Sequence, residues 1–70
     1  MTWDSVIDEL GGTGKVAAAL GLEPPTVSVW RDRGIPPKRW LAIVQLAEEL
    51  GREGITFESL STTDKAEARA

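Results

Sequence analysis

Apolar residues recur along this chain with the period of a helix, and no segment alternates in the two-residue period of a strand. Trp3, Val6, Ile7 and Leu10 follow i, i+3, i+4, i+7 and predict an amphipathic helix over 3–10. Thr2 suits its N-cap, Asp4 its electropositive first turn, and Gly11-Gly12 its end. A second helix is expected over 14–20, capped by Thr13, with Val16 and Leu20 turned inward. Ala17 lies between them and is small enough for a second helix to cross closely. Gly21 suits the position after the last turn, where a positive φ favours glycine.

A third helix is expected over 25–33. Proline has no N–H to leave unpaired at a first helical position, and it pushes its predecessor toward extended backbone. Leu22-Glu23 should therefore form the turn, with Val27 and Trp30 on one face and Leu22 packed beneath them. Gly34 ends this helix and Ile35-Pro36 reads as an extended link. A fourth helix over 37–50 carries Trp40, Ile43, Val44, Ala47 and Leu50 inward, and Leu41 and Leu46 widen the stripe. Gly51 stops it. Thr56 is placed to cap one last helical turn over 57–60, with Ile55 stapled onto Leu60. From Ser61 onward little can be buried, and 61–70 is expected to be a disordered or frayed tail on a domain spanning 1–60. The fold class is all-α: four helices with a short fifth helical turn.

Seventy residues make one domain, with a core that supplies roughly 3–5 kcal/mol unaided. With no cysteine and no histidine there is no disulfide, no implied redox compartment and no zinc-like cluster, so no metal and no cofactor is expected. Oligomerisation remains as a source of stability, and a homodimer is expected. The chain shows no basic and apolar leader and no apolar run long enough for a membrane, so a soluble cytoplasmic protein is expected.

Val16, Ala17, Leu20, Gly21, Leu22, Val27 and Trp30 together match the spacing of a helix-turn-helix unit. Immediately after Val29 the chain reads Trp30-Arg31-Asp32-Arg33-Gly34-Ile35-Pro36. On these residues, over about 3–50, the chain resembles the Cro and repressor family of bacterial and phage regulators. It is most similar to a small phage-type subgroup with a W-x-x-R-G-I-P signature, the carph-isopro and antitoxin-like members. The resemblance implies a lambda-repressor-like domain, a bacterial or phage origin, and transcription regulation at the nucleoid. Repression by blocking polymerase is the default it implies. Activation fits equally, as does an antitoxin-like module that contacts RNA polymerase or another protein. The bland alternative is a plain helical bundle with an accidental glycine turn.

If Val27 and Trp30 point inward, Thr26, Ser28, Val29, Asp32 and Arg33 turn toward a major groove of double-stranded DNA. Candidate base contacts are Thr26, Ser28, Val29, Arg31 and Arg33. Val29 is apolar yet off the core stripe; it would touch a thymine methyl, or is an ordinary exposed valine. Candidate phosphate contacts are Thr13, Gly14 and Lys15 at the start of the second helix and Lys38 and Arg39 at the start of the fourth. Two such helices about 34 Å apart would read successive grooves.

The net charge of −3 argues mildly against nucleic acid, but its distribution argues for it. Between Thr13 and Trp40, Lys15, Arg31, Arg33, Lys38 and Arg39 face only Glu23 and Asp32. The remaining nine acids face Arg52, Lys65 and Arg69 in the flanks. Screening over about 8–10 Å limits what those distant acids do to a local basic patch. Gly11-Gly12-Thr13-Gly14-Lys15 superficially resembles a phosphate-binding loop. It lacks the first glycine at the required spacing, carries Val16 where magnesium needs Ser or Thr, and follows no strand. No Ser–Lys or carboxylate set converges, and Asp8-Glu9 and Glu48-Glu49 are adjacent pairs on diverging directions, so no enzyme is expected. The three tryptophans sit on apolar stripes: Trp30 in the core, Trp3 near the domain surface, Trp40 in the core or a dimer contact.

Overall fold

The sequence folds as an all-helical domain in which the apolar stripes of successive helices meet. The computed structural model describes residues 2–68, and Met1, Arg69 and Ala70 lie outside them. In order, the helices are α1 (Trp3–Glu9), α2 (Thr13–Leu20), α3 (Pro24–Arg33), α4 (Trp40–Glu49) and α5 (Phe57–Ala68), with a 3₁₀ turn (Pro37–Arg39) leading into α4. Among the described residues there is no strand, and no helix is long and apolar enough to cross a membrane.

α1 begins as its sequence dictates. The Thr2 hydroxyl accepts from the Ser5 N–H at 3.1 Å, and the Ser5 hydroxyl accepts from the Thr2 N–H at 3.1 Å. This reciprocal pair satisfies two N–H groups that would otherwise lack partners. The whole stripe Trp3, Val6, Ile7 and Leu10 is buried. Trp3 is therefore a core residue, not the near-surface one expected, because Gly34 gives its indole room at the end of α3.

α2 starts one residue earlier than expected. Gly12 is its N-cap, Thr13 is its first helical residue, and the Thr13 side chain caps nothing in α2. At the other end Gly21 adopts φ 68°, and the Leu22 N–H reaches the Ala17 carbonyl at 2.8 Å, closing the helix with a Schellman-type bond. Val16 and Ala17 are buried, while Leu20 and Leu22 are half-buried against the core. α3 begins at Pro24 behind the extended Glu23, and it packs most extensively on α2 and then α1. Val27 and Trp30 are fully interior.

The expected fourth helix divides into the 3₁₀ turn and α4. Pro36 and Pro37 lack N–H groups, and the Arg39 N–H bonds the Pro36 carbonyl three residues back at 2.8 Å. Ile43, Leu46 and Ala47 are buried; Leu50 and Leu41 are exposed. Ile35, expected only as a link residue, is part of the core at 2% exposure. Its carbonyl accepts from the Trp40 indole at 2.7 Å, which fixes Trp40 as a half-buried cover of the core.

The largest departure is α5. Thr56 caps it, but the helix continues through Ala68 where a disordered tail is expected from Ser61. The Thr56 hydroxyl accepts from the Ser59 N–H, and the Ser59 hydroxyl accepts from the Thr56 N–H, repeating the start of α1. Ile55, Leu60 and Thr63 are buried, and the Thr63 hydroxyl donates to the Ser59 carbonyl at 2.8 Å. That bond lets a polar side chain enter the interior without an unpaired group. The part of the expected tail at 69–70 lies outside the described residues.

Candidate functional site

The burial of Val27 and Trp30 orients α3 and leaves Thr26, Ser28, Val29, Asp32 and Arg33 exposed on its other sides. Each expected base contact except Arg31 therefore lies on an accessible surface. Arg31 follows Val27 by four residues, so it falls on the protein side of the helix. Its Nε donates to the Thr13 hydroxyl at 2.8 Å, Nη1 to Asp4 Oδ1 at 3.0 Å and Nη2 to Asp8 Oδ1 at 2.7 Å. Arg31 is expected to read a base; in the structure its donors hold α3 to α1 and to the start of α2.

The bonds to Asp8 and Asp4 raise the Arg31 pKa, so the guanidinium stays charged throughout the range in which the protein folds. Asp4 and Asp8 are four apart on α1, on one face, and together receive the planar fork of the arginine. By sequence alone, Asp4 serves only the helix dipole and Asp8 is only half of the adjacent Asp8-Glu9 pair. Their spacing was the signal that the two carboxylates act on one cation. Replacing Arg31 by Ala is expected to lower the thermal midpoint measured by circular dichroism, more at low salt than at high salt. Arg31→Lys should recover only part, since a point charge cannot make the three-way fork. A midpoint unchanged in Arg31→Ala would show that the cluster contributes nothing.

The segment from Trp30 to Pro36 joins four helices. Trp30 fills the core, Arg31 binds α1 and α2, and Gly34 ends α3 at φ 99° against the Trp3 ring. Ile35 is buried and receives the Trp40 indole N–H, and Pro36 starts the 3₁₀ turn. The W-x-x-R-G-I-P pattern thus specifies packing around α3. Of its residues, only Asp32 and Arg33 are exposed.

The candidate phosphate contacts separate into two kinds. At the start of α2, Gly12 offers no side-chain cap, Gly14 and Lys15 are exposed, and the Thr13, Gly14 and Lys15 N–H groups donate to no group among the described residues. Thr13 itself is half-buried, and its hydroxyl oxygen is engaged by Arg31. At α4 the expectation changes. The Arg39 and Trp40 N–H groups already donate to Pro36 and Pro37 carbonyls, and Pro37 has none, so little free backbone remains for an anion. Arg39 can act there only through its side chain, whereas the Lys38 N–H donates to no group among the described residues. Among the described residues, Lys15, Arg33, Lys38 and Arg39 form no ion pair; the salt bridges belong to Arg31. Among those same residues no cluster of three or more His, Cys, Asp or Glu is placed to hold a metal.

Searches of curated proteins and of solved structures each found no match. Residues 3–55, which carry α1 through α4 and stop before α5, match the family described as bacterial toxin YdaS. The chain belongs to that family, a small phage-associated group of helix-turn-helix-like proteins.

Proposed function

We propose that this protein is a sequence-specific DNA-binding transcription regulator that lays α3 in the major groove. The observation that carries the reading is the division of α3: Val27 and Trp30 inside, Thr26, Ser28, Val29 and Arg33 outside, on a helix fixed from behind by Arg31. Lys15, Arg33, Lys38 and Arg39 are the unpaired cations of the segment, available to phosphate. Thr26, Ser28, Val29 and Arg33 contact base edges; Gly14 and Lys15, with the backbone at the start of α2, contact phosphate along with Lys38 and Arg39. Occupying a promoter site and excluding polymerase is the simplest regulatory outcome.

The protein acts as a homodimer in this reading. The chain measures 30 Å along its longest axis and carries one reading helix. Two helices about 34 Å apart, one per groove, require two copies. Leu41 and Phe57 remain exposed and accessible to a second copy, whereas Leu60 is buried within the chain.

Salt dependence tests the reading. Each phosphate neutralised adds about 0.9 to the slope of log K against log salt, so the three phosphate-facing cations Lys15, Lys38 and Arg39 give about 2.7 per protomer. In fluorescence anisotropy with duplex DNA, Lys38→Ala is expected to reduce the slope by about 0.9 per protomer. Absence of binding at low ionic strength would overturn the proposal. It would favour a protein-interaction module instead, for which the acids of α1, α4 and α5 offer the surface.

A further inference from the structure

The outer strip of α3 has an unusual chemistry for a reading surface. Val29 is 50% exposed and is the one apolar side chain besides the prolines on the solvent side of α3. Pro25 precedes it by four residues and Asp32 follows by three, so these three share the strip opposite Val27 and Trp30. All three are exposed. With Arg31 turned behind the helix, the strip has no amide, and its one guanidinium, Arg33, lies four residues beyond Val29 at the end of α3. Around Val29 itself it therefore lacks the donor–acceptor pair that selects adenine, and the paired donors that select guanine lie a turn away. Asp32 beside it repels phosphate, which favours contact with base edges over the backbone.

Folding does not explain Val29. A β-branched residue in an exposed helical position is a weaker helix former than alanine, and here it gains little burial. The chemistry complementary to the strip in a major groove is the thymine 5-methyl group, the one apolar feature a base pair presents there.

We propose that Val29, flanked by Pro25, forms an apolar seat for a thymine methyl and is a specificity-determining residue. This rests on the DNA-binding reading above. The seat selects thymine by excluding water from a methyl-to-methyl contact, and cytosine, which lacks that methyl, binds less well.

The test begins with selection of bound duplexes from a random pool by the full chain. Each thymine of the enriched sequence is then replaced in turn by deoxyuridine, which removes the methyl alone. At one thymine per half-site, deoxyuridine is expected to weaken binding about fourfold. Val29→Ala, which removes the seat from both protomers, should bind the thymine duplex about sixteenfold less tightly, about fourfold at each half-site, and no longer distinguish it from the deoxyuridine duplex. Its thermal midpoint should equal or exceed that of the parent, which separates lost contact from lost fold. If a sequence is enriched but every deoxyuridine is neutral, or Val29→Ala keeps the discrimination, the seat is disproved and the DNA-binding reading stands. If no duplex is enriched or retained at low salt, both fall.

Discussion

Gly34→Ala is expected to destabilise the fold by about 2–5 kcal/mol, the sum of a backbone and a packing penalty. The backbone penalty arises because Gly34 sits at φ 99°, a conformation that L side chains rarely adopt. The packing penalty arises because a Cβ there would lie 2.9 Å from Trp3 Nε1 and 3.1 Å from Trp3 Cε2. The Trp3 ring is only 2% exposed and is enclosed by the core, so it cannot swing away as a surface side chain would. A domain of this size has about 3–5 kcal/mol in hand, so the variant should be largely unfolded near 37 °C. Gly21→Ala provides the control. Gly21 also has a positive φ, at 68°, but a Cβ there meets nothing within 4 Å. That variant should lose only the left-handed backbone cost, about 1–2 kcal/mol. Gly34, at ψ 159°, lies in a region essentially restricted to glycine, whereas Gly21, at ψ 33°, is αL. Urea denaturation should therefore show the larger loss at Gly34 from both terms, and equal losses would rule out the Trp3 contact as a constraint.

The first four helices are legible in the sequence because each carries an uninterrupted apolar stripe ended by glycine or opened by proline. The exposed face of α3 is legible for the same reason: once Val27 and Trp30 are assigned to the interior, the outer side follows by rotation. Arg31 shows where composition misleads. An arginine in the last turn of α3 invites a DNA role, yet its four-residue spacing from Val27 places it on the protein side, where Asp4, Asp8 and Thr13 bind it. Ile35 has no periodic neighbours, being a single apolar residue between Gly34 and two prolines, so its burial depends on tertiary packing that no local pattern encodes. The charge count is legible too, but not its effective value. Arg31 is neutralised by α1, and the accessible positive charge between Thr13 and Trp40 resides on Lys15, Arg33, Lys38 and Arg39.

α5 is the element that composition conceals, and Leu60→Ala should show its weight. Beyond Leu60 the helix has no large apolar side chain, and its inward face continues with Thr63, whose hydroxyl is satisfied by the Ser59 carbonyl. A helix whose interior contact uses a leucine and a threonine has no stripe to detect. Its start was nonetheless readable, because Thr56-Phe57-Glu58-Ser59 repeats the capping pattern of Thr2-Trp3-Asp4-Ser5. Leu60 is fully buried, and its truncation to alanine is expected to cost about 2–5 kcal/mol. Phe57 lies three residues earlier and is 49% exposed, so Phe57→Ala should cost far less despite removing a larger side chain. The contrast is what matters. An unstructured appendage would make both substitutions silent, and a helix packed by Phe57 would reverse their order. Amide hydrogen exchange gives an independent reading: the Leu60 N–H, bonded to the Thr56 carbonyl at 2.9 Å, should be protected to nearly the extent of the core of α4. Since every residue proposed to touch DNA precedes α5, Leu60→Ala should weaken DNA binding only in proportion to the fraction of molecules it unfolds. Binding lost while the protein remains folded would place α5 at the DNA or at the dimer contact instead.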